Sequence, residues 1–156
     1  MSGTQSLWPC WKPQKLSPKR PKPTCTSSAT HSPPAARTAA FLKTLARDRL
    51  AAASDHYASQ LGRKVTRITL RDTRSRWGSC AHDGALMYSW RLIMAPPHVL
   101  DYLAAHEVAH LVHMNHSDEF WALTHKLSKD TDSAEAWLKA HGASLHRYGA
   151  RGASED

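Results

Sequence analysis

Residues 96–117 read PPHVLDYLAAHEVAHLVHMNHS, and the fold is organised around them. Pro96-Pro97 opens a helix, because a proline's missing N–H costs nothing in a first turn. Hydrophobic spacing predicts that helix over His98–Met114, with Val99, Leu103, Leu111 and Val112 turned to a core. Asn115 suits the left-handed residue that closes a helix. Ser117, followed by Asp118 and Glu119, reads as the N-cap of a second helix running to about Ser128. Inside the first helix His106 and His110 stand four residues apart, on one face and about 6 Å from each other.

Two imidazoles at that spacing can converge on one ion, and Glu107 projects beside them within reach of a metal-bound water. The same pentapeptide also suits an inert His/Glu helix face, so a third ligand carries weight. Catalytic zinc sites use three protein ligands and keep a fourth position open. His113 lies on the same face as His106 but about 10.5 Å further along the axis, and would have to bend across His110. His116 follows the break at Asn115, where the chain can turn back. The expected ligands are therefore His106, His110 and His116, with His113 left to solvent or to a supporting role.

Working outward, residues 37–60 have helical spacing through Phe41, Leu42, Leu45, Leu50 and Tyr57, with Gly62 as a stop. Thr66, Ile68 and Leu70 alternate with Arg67, Thr69 and Arg71, which predicts a half-buried strand over Val65–Arg71. Alternation returns over Ala85–Ile93 with Leu86, Tyr88, Trp90 and Leu92 on one face. Asp83-Gly84 supplies a tight turn, so an antiparallel hairpin is expected there. A last helix is predicted near Ser133–His141, ending at Gly142. In the connecting RSRWGSC stretch, Arg74 and Arg76 are candidate substrate contacts for a carboxylate or phosphate. Trp77 is expected to anchor the core, Gly78 to allow a bulge, and Cys80 to be a small buried group. Phe120 and Trp121 read as core residues of their helix, and His98, His125, His141 and His146 as surface histidines.

The 156 residues suffice for one domain with a tail, and a net charge of +8 invites a nucleic-acid reading. That charge is local. The first 47 residues hold eight Lys or Arg and no Asp or Glu, leaving 13 basic against 13 acidic residues in the remainder. Seven of the nine prolines share the same third. Residues 1–36 are thus expected to be a disordered, basic, Pro-rich tail, and 37–156 the folded domain. No apolar run is long enough for a membrane span or a signal peptide. Three cysteines without CxxC spacing form neither a disulfide framework nor a thiolate cluster, and the expected compartment is the cytoplasm.

The His106-Glu107-Val108-Ala109-His110-Leu111 segment, with Asn115-His116-Ser117 and Phe120-Trp121, resembles the YgjP-like branch of zinc metallopeptidases, related to the SprT-like and WLM groups. Arg74–Cys80, Trp90-Arg91-Leu92, Ala95-Pro96-Pro97 and Tyr102 share the likeness, which spans roughly residues 37–148. The resemblance implies an α+β, zincin-like fold: a small antiparallel or mixed sheet packed on an active-site helix, with further C-terminal helices. It also implies Zn2+ held by His106, His110 and His116, with Glu107 as base. The chain departs from the family in carrying the basic stretch where a β-rich part is common, and Ser89 where Asn is expected.

The expected activity is zinc-dependent hydrolysis of a peptide or protein substrate. Glu107 would take a proton from a zinc-bound water and pass it to the leaving amine. Two alternatives belong to other classes. One is a metal-dependent nucleotide pyrophosphatase, an activity associated with this branch, for which Arg71, Arg74 and Arg76 would bind phosphate. The other is a non-enzymatic, zinc-stabilised module whose tail binds nucleic acid.

Overall fold

The structure, a computed structural model, describes residues 34–148. The expected tail falls outside these residues except for Pro34–Ala36, which already belong to helix α1 (Pro34–Gln60). The buried side of α1 is a ladder of three- and four-residue steps: Leu42, Ala46, Leu50, Ser54, Tyr57 and Leu61. Phe41, one of the apolar positions in the sequence pattern, faces outward and is 65% exposed. Gly62 stops the helix as expected: with φ +61° it lets Arg63 N–H donate back to the Ala58 carbonyl at 2.9 Å.

Three strands follow, β1 (Arg67–Arg71), β2 (Gly78–Cys80) and β3 (Ala85–Ser89), in the spatial order β1-β3-β2. The expected hairpin is corrected here. β1 runs parallel to β3, with Ile68 opposite Leu86 and Leu70 opposite Tyr88. The turn through Asp83 and Gly84 joins β3 to β2 instead, with Ser79 opposite Met87 in an antiparallel pair. Gly84, at φ +81°, supplies the positive φ that the turn requires. β2 escaped the sequence pattern because three residues, Gly-Ser-Cys, are too few to show alternation.

The second expected strand also ends early. After Ser89 the chain enters a 3-10 turn, Trp90–Met94. Leu86, Tyr88, Trp90 and Leu92 are nevertheless all buried, so the apolar positions were identified correctly and the backbone path was not. Arg91 explains the change of path. Its guanidinium is 4% exposed and clamps Asp72 through Nε at 2.6 Å and Nη2 at 3.0 Å. It also donates to the backbone carbonyls of Leu145 and Tyr148, and lies over the Trp90 ring.

Helix α2 (Pro97–Ala109) is the centre of the molecule, with ten of its 13 residues buried between α1, β2 and the C-terminal helices. It ends at Ala109, three residues after His106 and short of the expected Met114. Leu111 N–H bonds the Val108 carbonyl at 2.9 Å, tightening the last turn. Asn115 is not left-handed; among the described residues only glycines have positive φ. Helix α3 (Asp118–Leu127) begins as expected, with Ser117 Oγ accepting from Phe120 N–H. Helix α4 (Thr131–Leu145) runs through Gly142 rather than stopping there. Gly142 is buried against Trp77, where a Cβ would lie 3.0 Å from the indole.

Four helices and a small mixed sheet make this an α+β fold of the zincin-like kind. Among the described residues no helix is long and apolar enough to cross a membrane.

Candidate metal centre

His106 and Glu107 occupy the last full turn of α2, and His110 is its C-cap. The tight turn after His110 and the loop to Ser117 bring His116 back over the helix. His116 Nε2 comes to rest 3.2 Å from His106 Nε2. The ring centroids of the three histidines lie 4.8–5.2 Å apart, and one nitrogen from each falls within 4.8 Å of the others. His106 and His110 are buried, while His116 forms the solvent side. The three expected ligands therefore come together.

Each ring is held from behind. His110 Nδ1 faces the His113 carbonyl at 2.9 Å, which requires the proton on Nδ1 and leaves Nε2 with its lone pair. His113 thus supports the cluster through its backbone rather than its ring. Tyr102, one turn before His106, places its hydroxyl 3.4 Å from His106 Nδ1. Phe120 is fully buried and stacks on His110 at 4.4 Å, meeting His106 and His116 edge-on. Trp121 stacks on His116 at 5.8 Å. The aromatic pair expected in a helix core is in fact packed around the imidazoles.

Burial favours the neutral form of all three histidines. Burial, followed by the charges of His110 and His116, lowers His106 from its usual 6.5 to about 3. His110 and His116 are lowered for the same leading reason. Three neutral imidazoles are the donor set that zinc takes. Two nitrogens at about 2.0–2.1 Å from one tetrahedral ion would be about 3.3 Å apart, close to the observed His106–His116 separation of 3.2 Å. The residues present fit a divalent cation.

Glu107 is 3% exposed, and burial pushes its carboxyl up from 4.5 to about 8, against the opposing pull of Arg76. The backbone of β2 lies directly on this carboxyl. A Cβ on Gly78 would fall 2.4 Å from Glu107 Oε1, so any other residue there would have to displace that side chain. The requirement expected of Gly78 was a bulge. The contact that imposes it joins two distant segments, and the sequence alone held no signal for it. Cys80, on the same strand, is half-buried, with its thiol pushed up to about 11 chiefly by burial, and it stands outside the three-histidine cluster.

The two candidate arginines separate. Arg76 is within electrostatic reach of Glu107, whereas Arg74 acts on His146, whose ring stacks on Trp77 at 5.1 Å. His125 lies 3.8 Å from Asp132, and neither it nor His98, His141 or His146 joins the cluster.

Neither a curated protein nor a solved structure matches the chain. A family model described as YgjP-like, metallopeptidase domain, matches residues 14–141. The match begins within the Pro-rich stretch and takes in the three histidines, Glu107 and β2. With the converging imidazoles and a match over most of its length, the chain belongs to the YgjP-like metallopeptidase domain family.

Proposed function

We propose that this chain is a zinc-dependent peptidase in which His106, His110 and His116 hold the ion and Glu107 is the general base. The observation that carries the reading is the convergence of three neutral imidazoles beside a buried carboxyl. When bound, zinc supplies a Lewis acid that acidifies water and polarises a carbonyl. Glu107 takes the proton of the attacking water and returns it to the leaving amine. Gly78 keeps that carboxyl against β2, and Phe120 and Trp121 hold the imidazole planes.

Substrate alignment follows from the sheet. β2 pairs only with β3, and its other edge has no strand partner among the described residues. Its backbone runs past Glu107 at Gly78, so an extended peptide added to that edge would pass beside the base. Arg76, close enough to act on Glu107, stands where it can meet charge on the substrate.

The test compares casein or quenched-peptide cleavage with nucleoside triphosphate hydrolysis by the zinc-loaded chain. Peptide cleavage that falls about 10²–10⁴-fold in Glu107→Gln, with zinc retained, is the expected result. Nucleotide turnover that depends on Glu107, without peptide cleavage, would overturn the assignment.

A further inference from the structure

A cavity of about 300 Å³ adjoins the histidine cluster through His110, which belongs to both. Its remaining walls are chemically uneven. Leu111 and Met114 supply apolar surface, and Met114 is 43% exposed. Arg63 and Lys64 supply two cations that form no ion pair with any described residue. Asp83 is the one carboxylate in the lining, and its Oδ1 accepts from Ala85 N–H at 3.0 Å within the turn.

The position of these cations is built into the fold. Gly62, at positive φ, turns the chain out of α1 directly before Arg63. Two residues after Lys64, Thr66 N–H donates to the Gly84 carbonyl at 3.1 Å, extending the β1–β3 pairing. The turn packs so closely on this segment that a Cβ at Gly84 would lie 3.3 Å from the Lys64 carbonyl. The segment carrying Arg63 and Lys64 is thus fixed at both ends beside the cluster.

The geometry points to this cavity as a substrate subsite for a carboxylate near the scissile bond, with its alkyl stem on Leu111 and Met114 and its charge on Arg63 and Lys64. The inference rests on the peptidase reading and adds a preference to it. The carboxylate can belong to an acidic side chain, glutamate above all for its stem, or to the end of the substrate chain.

Binding separates this from catalysis. Labelled peptides that differ only by Glu or Gln near one bond, each with a free or an amidated C-terminus, are titrated by fluorescence anisotropy into zinc-loaded Glu107→Gln chain. The Glu peptide is expected to bind about tenfold more tightly than its Gln partner, an effect of about 1.4 kcal/mol. In Arg63→Ala/Lys64→Ala, built on the same background, that advantage falls below about twofold while affinity for the Gln peptide holds. An advantage that follows the free C-terminus instead also upholds the subsite and assigns it the chain end. Equal binding of all four peptides, none at all included, or an advantage that survives the double variant, overturns it. Wild-type cleavage of the same peptides tells the two readings apart. Cleavage without charge preference leaves the peptidase and removes the subsite, whereas selective binding without cleavage does the reverse.

Discussion

At Gly78 the difference between a hydrogen and a methyl group decides whether Glu107 keeps its place. A Cβ there would lie 2.4 Å from Oε1 and 2.8 Å from both Cδ and Cγ, so the buried carboxyl would have to shift. Gly78→Ala should therefore lower peptide kcat/KM by about 10–100-fold, as a displaced catalytic group does, while zinc content stays near wild type. Parallel kinetics and metal analysis check this; unchanged kcat/KM would show that the carboxyl has room to move. At this scale the candidate ligands were legible because their signal is local: about one helical turn separates His106 from His110, and the helix ends before His116. Gly78, Tyr102 and the two aromatics were not legible as parts of the site. Gly78 and Phe120 owe their roles to contacts made by folding, and Phe120 looks in sequence like any apolar residue in a first helical turn.

Among the elements, the join between α2 and α3 places His116, the third member of the cluster. Ser117 caps α3 and directly follows His116, so the cap fixes where His116 begins its return. Ser117→Ala should lower stability by about 1 kcal/mol, read by urea unfolding, and weaken zinc binding with it. Stability loss with unaltered zinc affinity would mean that the cap does not position His116. The helices were the most legible elements, because Gly62, Pro96-Pro97 and Ser117 are explicit stop and start signals. The sheet was less so. Alternation identifies which residues are buried but not which strand lies beside which, and β1 pairs with β3 in parallel across a strand that lies between them in sequence. α2 was drawn too long because Leu111 and Val112 continue its apolar spacing after the backbone has already turned.

For the whole molecule, Arg91 and the histidine cluster govern stability in different ways. Arg91 links Asp72, at the end of β1, to carbonyls at the end of α4. Its removal leaves the buried Leu145 carbonyl unpaired and takes the ion-pair partner from half-exposed Asp72, so Arg91→Ala should cost about 2 kcal/mol in urea unfolding. A loss below about 1 kcal/mol would mean that the two ends hold together without it.

The metal-free chain should also have a stability maximum near pH 6.5. Below that value the unfolded chain binds protons that His106, lowered to about 3, and its two lowered partners refuse, so stability falls with falling pH. Glu107, raised from 4.5 to about 8, works in the opposite sense. Native protein holds a proton that the unfolded chain has lost, and stability declines as pH rises through 8. The effect of Glu107 spans pH 4.5 to 8, so Glu107→Gln should flatten the alkaline limb and steepen the acid limb between pH 4.5 and 6.5.

The central claim, that three imidazoles share one divalent cation, is tested most directly by zinc stoichiometry of the purified chain and of His116→Ala under the same conditions. The account predicts one zinc per wild-type chain and a loss of most of it in the variant, whose two remaining histidines stay in place on α2. A full equivalent of zinc in His116→Ala, or none in the wild type, would contradict it.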